Sequence, residues 1–437
     1  MKKKLLLAIC AGSMLTTAFA QRIPATLDSV YAPVVVGIPP SDAYIGLSKM
    51  PDGELRHYNY GENYQDARPM YLSSKDNGLT WKSVSLPREL VYADQRSPLS
   101  GEYIRIFCTA DGVYAMRTEG GLKGGRTIVK IDDKAGIMNK PPVFIRGGKR
   151  IISGAHRTDR SGAFVYYSDD DGRTWKGFRE LLLNPERNAR IFGDTRVGED
   201  KSVHQVQAVE VAPGKVLIAV GQHRKCRRML LFDVDWLYEP GRSCDFSDGL
   251  TDWSAFRYYK GIAGHCCYNR QEEPILVQHP DRPGAKLLQL GYTPNDSLVQ
   301  DNDGAVWNFP ASPDGAVSLR IQLPAQAATV NLVLNDRWFN PTDTVARYEC
   351  MYKLPLTRKQ LRINDDKWHE VTVLWRKNRP ATLKVDGRKR GTLPLVSKTE
   401  HGISYLHLLG ERIPAVHPVR IEYVEGGKIT EVATAED

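Results

Sequence analysis

The sequence predicts an all-β protein in two parts, a ring of small antiparallel sheets followed by a two-sheet sandwich. Three observations carry that prediction. Helical periodicity is nearly absent, while short β-rich runs punctuated by Gly, Pro, Asp and Asn recur along the whole chain. One eight-residue phrase occurs twice in the first half, as Ser74-Lys75-Asp76-Asn77-Gly78-Leu79-Thr80-Trp81 and as Ser168-Asp169-Asp170-Asp171-Gly172-Arg173-Thr174-Trp175. After position 241 the phrase does not recur, and denser alternating strands take over.

In chain order, the 437 residues open on Met1-Lys2-Lys3-Lys4, an apolar run from Leu5 to Leu15, and Ala18-Phe19-Ala20. A basic start, a short apolar stretch and an A-x-A end are the layout of a secretory signal peptide over 1–20, with cleavage before Gln21. The run is too short to span a bilayer, and Ile9 stands where a lipidated Cys10 would want a small residue. The expectation is a periplasmic or secreted protein with no membrane partner. Without the three leading lysines, 57 basic residues face 51 acidic ones, a surplus of +6 in place of +9. The basic residues are dispersed, with no stripe interleaved with aromatics, which argues against a nucleic-acid partner. A mildly positive surface suits an anionic glycan. Six cysteines follow the cleavage point without a C-x-x-C spacing, so neither a zinc site nor another cofactor is predicted. The oligomeric state is not written in the sequence.

The repeated phrase makes physical sense as a hairpin turn. Its Asp accepts backbone N–H bonds inside its own loop, its Gly supplies a positive φ, and its Trp anchors the returning strand. It resembles the Asp-box, or BNR repeat, of sialidase-type β-propellers, which joins the two outer strands of a blade and faces away from the active site. A second, looser repeat supports this resemblance: strand, glycine turn, strand, centred on Gly53, Gly112, Gly148 and Gly214. The two Asp-boxes lie 94 residues apart, which suits blades of about 40 to 50 residues. The span 21–241 then holds four or five blades, fewer than a standard sialidase, with 24–45 as a source of a closing strand and 183–201 as a long excursion.

The second part, 244–437, is expected to be a β-sandwich. Trp368-His369-Glu370-Val371-Thr372-Val373-Leu374-Trp375, a turn, and Leu383-Lys384-Val385-Asp386-Gly387 resemble the W-H-x-V-x-V and L-x-V-D-G pair of laminin-G-like domains, a jelly-roll, concanavalin-like fold. Gly402-Ile403-Ser404-Tyr405-Leu406-His407-Leu408 looks like their last inner strand. Trp307, Trp368 and Trp375 are read as core. The polar loop from Asn335 to Asp343, with Trp338 and Phe339, either binds sugar or packs against the propeller, and packing is the preferred reading.

Chemistry is expected where the second strands of the blades end, because those ends collect at one mouth. They carry Arg56-His57-Tyr58, Met116-Arg117-Thr118, His156-Arg157-Thr158 and Gln222-His223-Arg224, while His204, Gln205 and Gln207 begin the last blade. Guanidinium groups grip a carboxylate bidentately and stay charged. The resemblance implies an arginine triad on the sugar carboxylate, for which Arg117, Arg157 and Arg224 are candidates with Arg68 in reserve. His57, His156, His204 and His223, with Arg157, are the catalytic candidates, since imidazole titrates near neutrality. The plainer reading of each is a solvated strand end or a structural ion pair. The tyrosine nucleophile and acid that the resemblance implies are not placed, although Tyr58, Tyr60, Glu62, Tyr64 and Asp66 offer the residue types. Arg22-Ile23-Pro24-Ala25 imitates a phrase that opens many sialidases.

The functional expectation is an exported carbohydrate-active enzyme, a sialidase-like glycoside hydrolase acting on an acidic sugar or glycan. One alternative is a polysaccharide lyase, in which Arg neutralises a uronate and His or Tyr removes the α proton. The other is a non-catalytic glycan-binding protein.

Overall fold

A computed structural model describes residues 24, 26–38, 47–50, 52–60, 67–85, 97–109, 112–118, 126–132, 143–157, 161–188, 191–192, 203, 206–220, 227–264, 267–270, 276–291, 303–341, 344–411 and 417–429. The expected leader over 1–20 lies outside these residues, as does the Arg22 phrase apart from Pro24. Among the described residues no helix is long and apolar enough to cross a membrane.

The chain is all-β. After β1 (Val34–Gly37), the first blade is β2 (Leu47–Lys49), β3 (Leu55–Tyr60), β4 (Ala67–Ser74) and β5 (Lys82–Ser85), paired in sequence order. The second is β6 (Tyr103–Thr109), β7 (Gly112–Thr118) and β8 (Arg126–Asp132). The third is β9 (Val143–Ile145), β10 (Arg150–His156), β11 (Gly162–Ser168) and β12 (Lys176–Leu183). After β13 (Ile191–Phe192) comes the fourth, β14 (Gln207–Ala212), β15 (Lys215–Val220) and β16 (Arg228–Asp233). Its outer edge is filled by β1, with Val34 opposite Leu231. The N-terminal segment therefore completes the last blade, and an edge that would otherwise be open is paired.

The two repeated turns fold alike and join the third and fourth strands of the first and third blades. In the first, Gly78 N–H donates to Ser74 Oγ at 2.8 Å, Thr80 N–H to Asp76 Oδ1 at 2.9 Å, and the Trp81 indole N–H to the Gly78 carbonyl at 3.0 Å. In the second, Gly172, Thr174 and Trp175 repeat those bonds at 2.9, 2.8 and 3.2 Å. Asn77 and Gly78 sit at φ 57° and 89°, Asp171 and Gly172 at 58° and 78°, the left-handed pair that a tight hairpin needs. Each turn is also a joint between blades. Gly78 lies against Leu217 of β15 and Trp81 against Gly37 of β1, while Gly172 lies against Ile104 of β6.

The sandwich continues with β17 (Gly241–Cys244), β18 (Trp253–Gly264), β19 (Cys267–Arg270), β20 (Leu276–Gln278), β21 (Lys286–Leu290), β22 (Asp303–Ser312) and β23 (Gly315–Gln322). It ends with β24 (Val330–Asn335), β25 (Tyr352–Leu356), β26 (Trp368–Trp375), β27 (Ala381–Val385), β28 (Arg388–Leu393), β29 (Ile403–Gly410) and β30 (Val419–Lys428). One sheet runs β13-β19-β18-β22-β29-β24-β25, the other β20-β21-β30-β23-β26-β27-β28 with β17 also on β30. Their inner faces share one core around Trp253, Trp307, Leu332, Leu319, Val371 and Trp375. Trp307 and Trp375 are thus core as expected. Trp368 is not: it faces outward and stacks on His279 at 5.2 Å.

The propeller and sandwich pack tightly at the third blade. Val306, Trp338 and Tyr405 join Phe164, Tyr166, Trp175 and Phe178 in one cluster. Asn308 bridges the halves, its Nδ2 donating to the Phe178 carbonyl at 2.7 Å and its Oδ1 accepting from Glu180 N–H at 3.0 Å. β13, which lies between the third and fourth blades in sequence, pairs with β19 of the sandwich.

Candidate functional site

Strand register sorts the blade connections onto two rims. Leu55 opposes Ser74 and Ile151 opposes Ser168, so both repeated turns share a rim with the glycine turns that precede β3 and β10. Pro213–Gly214 and the 3-10 turn Val234–Tyr238 flank the same end of the fourth blade. This rim is densely bonded. Arg146 donates from both Nη atoms to Asp235 at 3.0 and 2.8 Å, and its N–H to Glu210 Oε1 at 2.8 Å. The Arg146 hydrogen bonds, outweighing burial, hold the Asp235 carboxyl down at about 2. Lys49 Nζ reaches the Glu210 and Val211 carbonyls, closing the fourth blade on the first.

The second blade departs from the expected frame by one strand. The turn Ser97–Gly101, which precedes β6, lies beside Gly148, where an added Cβ would meet Pro98 at 2.7 Å. Ser97 Oγ donates to Asp171 Oδ1 at 2.5 Å. Gly101 therefore occupies the place of Gly53, Gly148 and Gly214, and the Gly112 turn falls on the opposite rim. Arg117 moves with it. Its Nη2 donates to Asp171 Oδ2 at 3.1 Å and pairs with Glu102, and only 4 % of the residue is exposed. It clips the second blade to the repeated turn of the third, on the rim away from the expected mouth.

Arg157 also departs from expectation. It directly follows β10 at the expected rim, yet only 1 % is exposed, because its side chain enters the contact with the sandwich. Nε donates to Glu180 Oε1 at 2.8 Å, Nη1 to Ser254 Oγ at 2.7 Å and to Ser161 Oγ at 3.2 Å, and the guanidinium lies 3.7 Å from the ring centroid of Trp338. Tyr405 donates its hydroxyl to the same Glu180 oxygen at 3.1 Å. A guanidinium spent in this way is a positioning group, not a substrate clamp. The Asn335 loop likewise packs: Trp338 and Phe339 are buried, and Thr399 and Arg337 bond Asp336. Burial would raise the Asp336 carboxyl, but Arg337 outweighs it and keeps it below the usual range.

What the structure does bring to the opposite rim comes from three blades. Gln207 begins β14 there, and its Oε1 accepts the N–H of Leu47, the first residue of β2, at 2.8 Å. His57 opposes Leu47 across the sheet and is buried. His156 ends β10 opposite Ala163. Val206 reaches the same region, since a Cβ on Gly154 of β10 would meet its Cγ1 at 2.2 Å. The flanking Val203 and Val206 are both buried. His204, Gln205, His223, Arg224 and the loop with Glu62, Tyr64 and Asp66 lie outside the described residues, as do the side chains of Arg68, His156, Tyr58 and Tyr60.

Sequence reasoning missed Glu180, Ser254 and Asn308 as partners of the interface, because nothing local marks a strand residue as facing another domain. Among the described residues no three His, Cys, Asp or Glu side chains are placed to hold a metal. His369 has two carboxylate neighbours, Asp386 at Nδ1, 2.8 Å, and Asp365 at Nε2, 2.9 Å.

No protein-family model matches the chain, and no curated protein does. Solved structures resemble it at low similarity. One is titled a sialidase, at 11 % identity and TM-score 0.31 over 90 % of this chain and 43 % of that one. A Trypanosoma rangeli sialidase with 2,3-difluorosialic acid gives 12 %, 0.28, 87 % and 80 %. An exo-beta-1,3-galactanase from Phanerochaete chrysosporium gives 10 %, 0.22, 85 % and 78 %. The chain thus spans under half the length of the first of these. Similarity at this level transfers no residue role and no substrate.

Proposed function

We propose that the protein is an exported carbohydrate-active enzyme, a glycosidase whose site lies at the propeller rim opposite the repeated turns and takes an acidic sugar or glycan. The observation that supports this best is the sorting of the two rims. One is consumed by hydrogen-bonded turns and interblade ion pairs, while the other receives Gln207, His57 and the His156 strand end from three blades. Imidazoles near a sugar would move protons at the glycosidic oxygen or at a ring carbon. Arg224 and Arg68 are the candidates to hold the carboxylate.

A second reading is favoured by one specific finding. Arg117 and Arg157 are committed to buried ion pairs, which leaves the triad of a sialidase-like site short of two members. A lyase needs one cation on the uronate and one base for the α proton, and the histidines suffice for that.

Incubation with sialosides and uronate polysaccharides, following reducing ends and ultraviolet absorbance together, separates the two readings. Turnover that falls by about 10²-fold or more in His156→Ala and His223→Ala, with the fold intact, supports the rim site. Absorbance growth marks the lyase, and its absence marks the hydrolase. Glycan retained without any turnover leaves a binding protein and ends the enzyme reading.

A further inference from the structure

The outer face of the β17-containing sheet carries a second array of polar groups that the propeller chemistry does not use. Alternation puts Val317, Val371 and Val373 into the core, so Ser318 and Thr372 point outward. Register aligns them: Lys384 opposes Thr372, Thr372 opposes Ser318, Ser318 opposes Glu425, and Glu425 opposes Ser243. This row crosses five strands, about 19 Å at the usual ~4.8 Å strand spacing. Ser318 and Thr372 share a hydroxyl hydrogen bond of 2.9 Å at its centre.

The row floors a cleft of about 630 Å³. Tyr423 lines both this cleft and a neighbouring one of about 410 Å³. In the latter, Glu422 is buried beneath Arg282 and Arg320, each bonded to it, and Trp368 stands beside them. Glu422 holds both guanidiniums, and each of these side chains is still 56 % exposed.

We propose that these adjoining clefts form a binding groove for a neutral, hydroxyl-rich polysaccharide chain laid across the strands. Charge decides the class of ligand. Five basic lining side chains, among them Arg242, Arg320 and Lys384, are met by five acidic ones, among them Glu370, Glu422 and Glu425. A polyanion gains no net attraction from such a surface. Sugar hydroxyls both donate and accept, so they use both kinds of group together with the Ser and Thr floor. Tyr423 and Trp368 offer amphipathic rings at the join and at one end. A protein partner would want an apolar centre, and the centre of this face is Ser318 and Thr372.

The test is affinity electrophoresis of the full chain through gels holding hydroxyethylcellulose, galactomannan or polygalacturonate. Retardation is expected with at least one of the two neutral polymers. Thr372→Arg, which fills the floor from an outward position, is expected to weaken it at least tenfold with the thermal transition unchanged, and Tyr423→Ala to weaken it as well. His156→Ala is expected to leave it intact. The proposal is overturned if neither neutral polymer retards the chain, if Thr372→Arg retards equally, if His156→Ala abolishes the effect, or if only polygalacturonate acts. Loss of the groove leaves glycan turnover in place, whereas failure of the rim site leaves the retardation, so the two readings fail separately.

Discussion

His407 is sealed in the sandwich with its Nε2 2.7 Å from the carbonyl oxygen of Pro341, which accepts the ring proton. Burial pushes its pKa down to about 4, because the charged ring would lose its hydration, although the Pro341 bond pulls the other way. The unfolded chain protonates this residue near 6.5. His407 therefore leaves stability untouched above about pH 6.5 and erodes it as pH falls towards 4, by on the order of 3 kcal/mol. His369 has the opposite sign. Burial lowers its pKa, but Asp386 and Asp365 outweigh burial and raise it, so its contribution is complete below about 6.5 and fades as pH rises through the raised value. His407→Gln, which keeps a donor for Pro341, is expected to flatten the stability loss between pH 6.5 and 4 in guanidinium titrations. An acid limb as steep as that of the wild type would refute the assignment.

At the scale of the element, the repeated turn shows what a sequence reveals and what it hides. Ser, Asp, Gly, Thr and Trp are legible because every bond of the turn lies within eight residues. The glycine frame of the second blade misleads for the contrary reason. Gly112 makes a hairpin as good as Gly53 does, and only the contact between Ser97–Gly101 and Asp171 fixes which end of the blade it occupies. Arg117 and Arg157 were readable as strand ends, but their partners Asp171 and Glu180 lie 54 and 23 residues away. The closing role of β1 was accessible, since an unpaired last strand demands a partner. Within each turn the Asp holds two strands together. In Asp170, burial raises the pKa, but bonds from Thr174 and Ser168 outweigh it and keep the carboxylate ionised. Asp170→Ala removes charge-assisted bonds worth roughly 2 kcal/mol. The expected loss in denaturant midpoint exceeds that of Asp169→Ala, whose exposed carboxylate bonds Lys176 and Tyr238 and pairs with Arg150, all outside the turn. Equal losses would show that the turn is not held by Asp170.

For the whole molecule, the decisive contact is the one between the third blade and the sandwich. Arg157 and Glu180 have side-chain exposures of 1 % and 5 %, so both charges have left water almost completely. Such a pair gains little over a well-packed apolar replacement, yet removing one partner strands the other charge, at about 3–5 kcal/mol. Ser254 and Tyr405 reach this pair from the sandwich and Ser161 from the blade, so the cost falls on the interface itself. Asn308 and the β13–β19 pairing tie the same surfaces. Coupling of this kind makes the two halves unfold together, in one calorimetric transition. Arg157→Ala is expected to split it, with the propeller melting first because its blades lose their outer support at β12. Replacing both charges, Arg157→Met with Glu180→Leu, is expected to restore a single transition, since no charge is then buried alone. If the single and double replacements melt alike, the pair is not what couples the halves. If Arg157→Ala leaves one transition, the Asn308 bridge and the apolar cluster suffice without it.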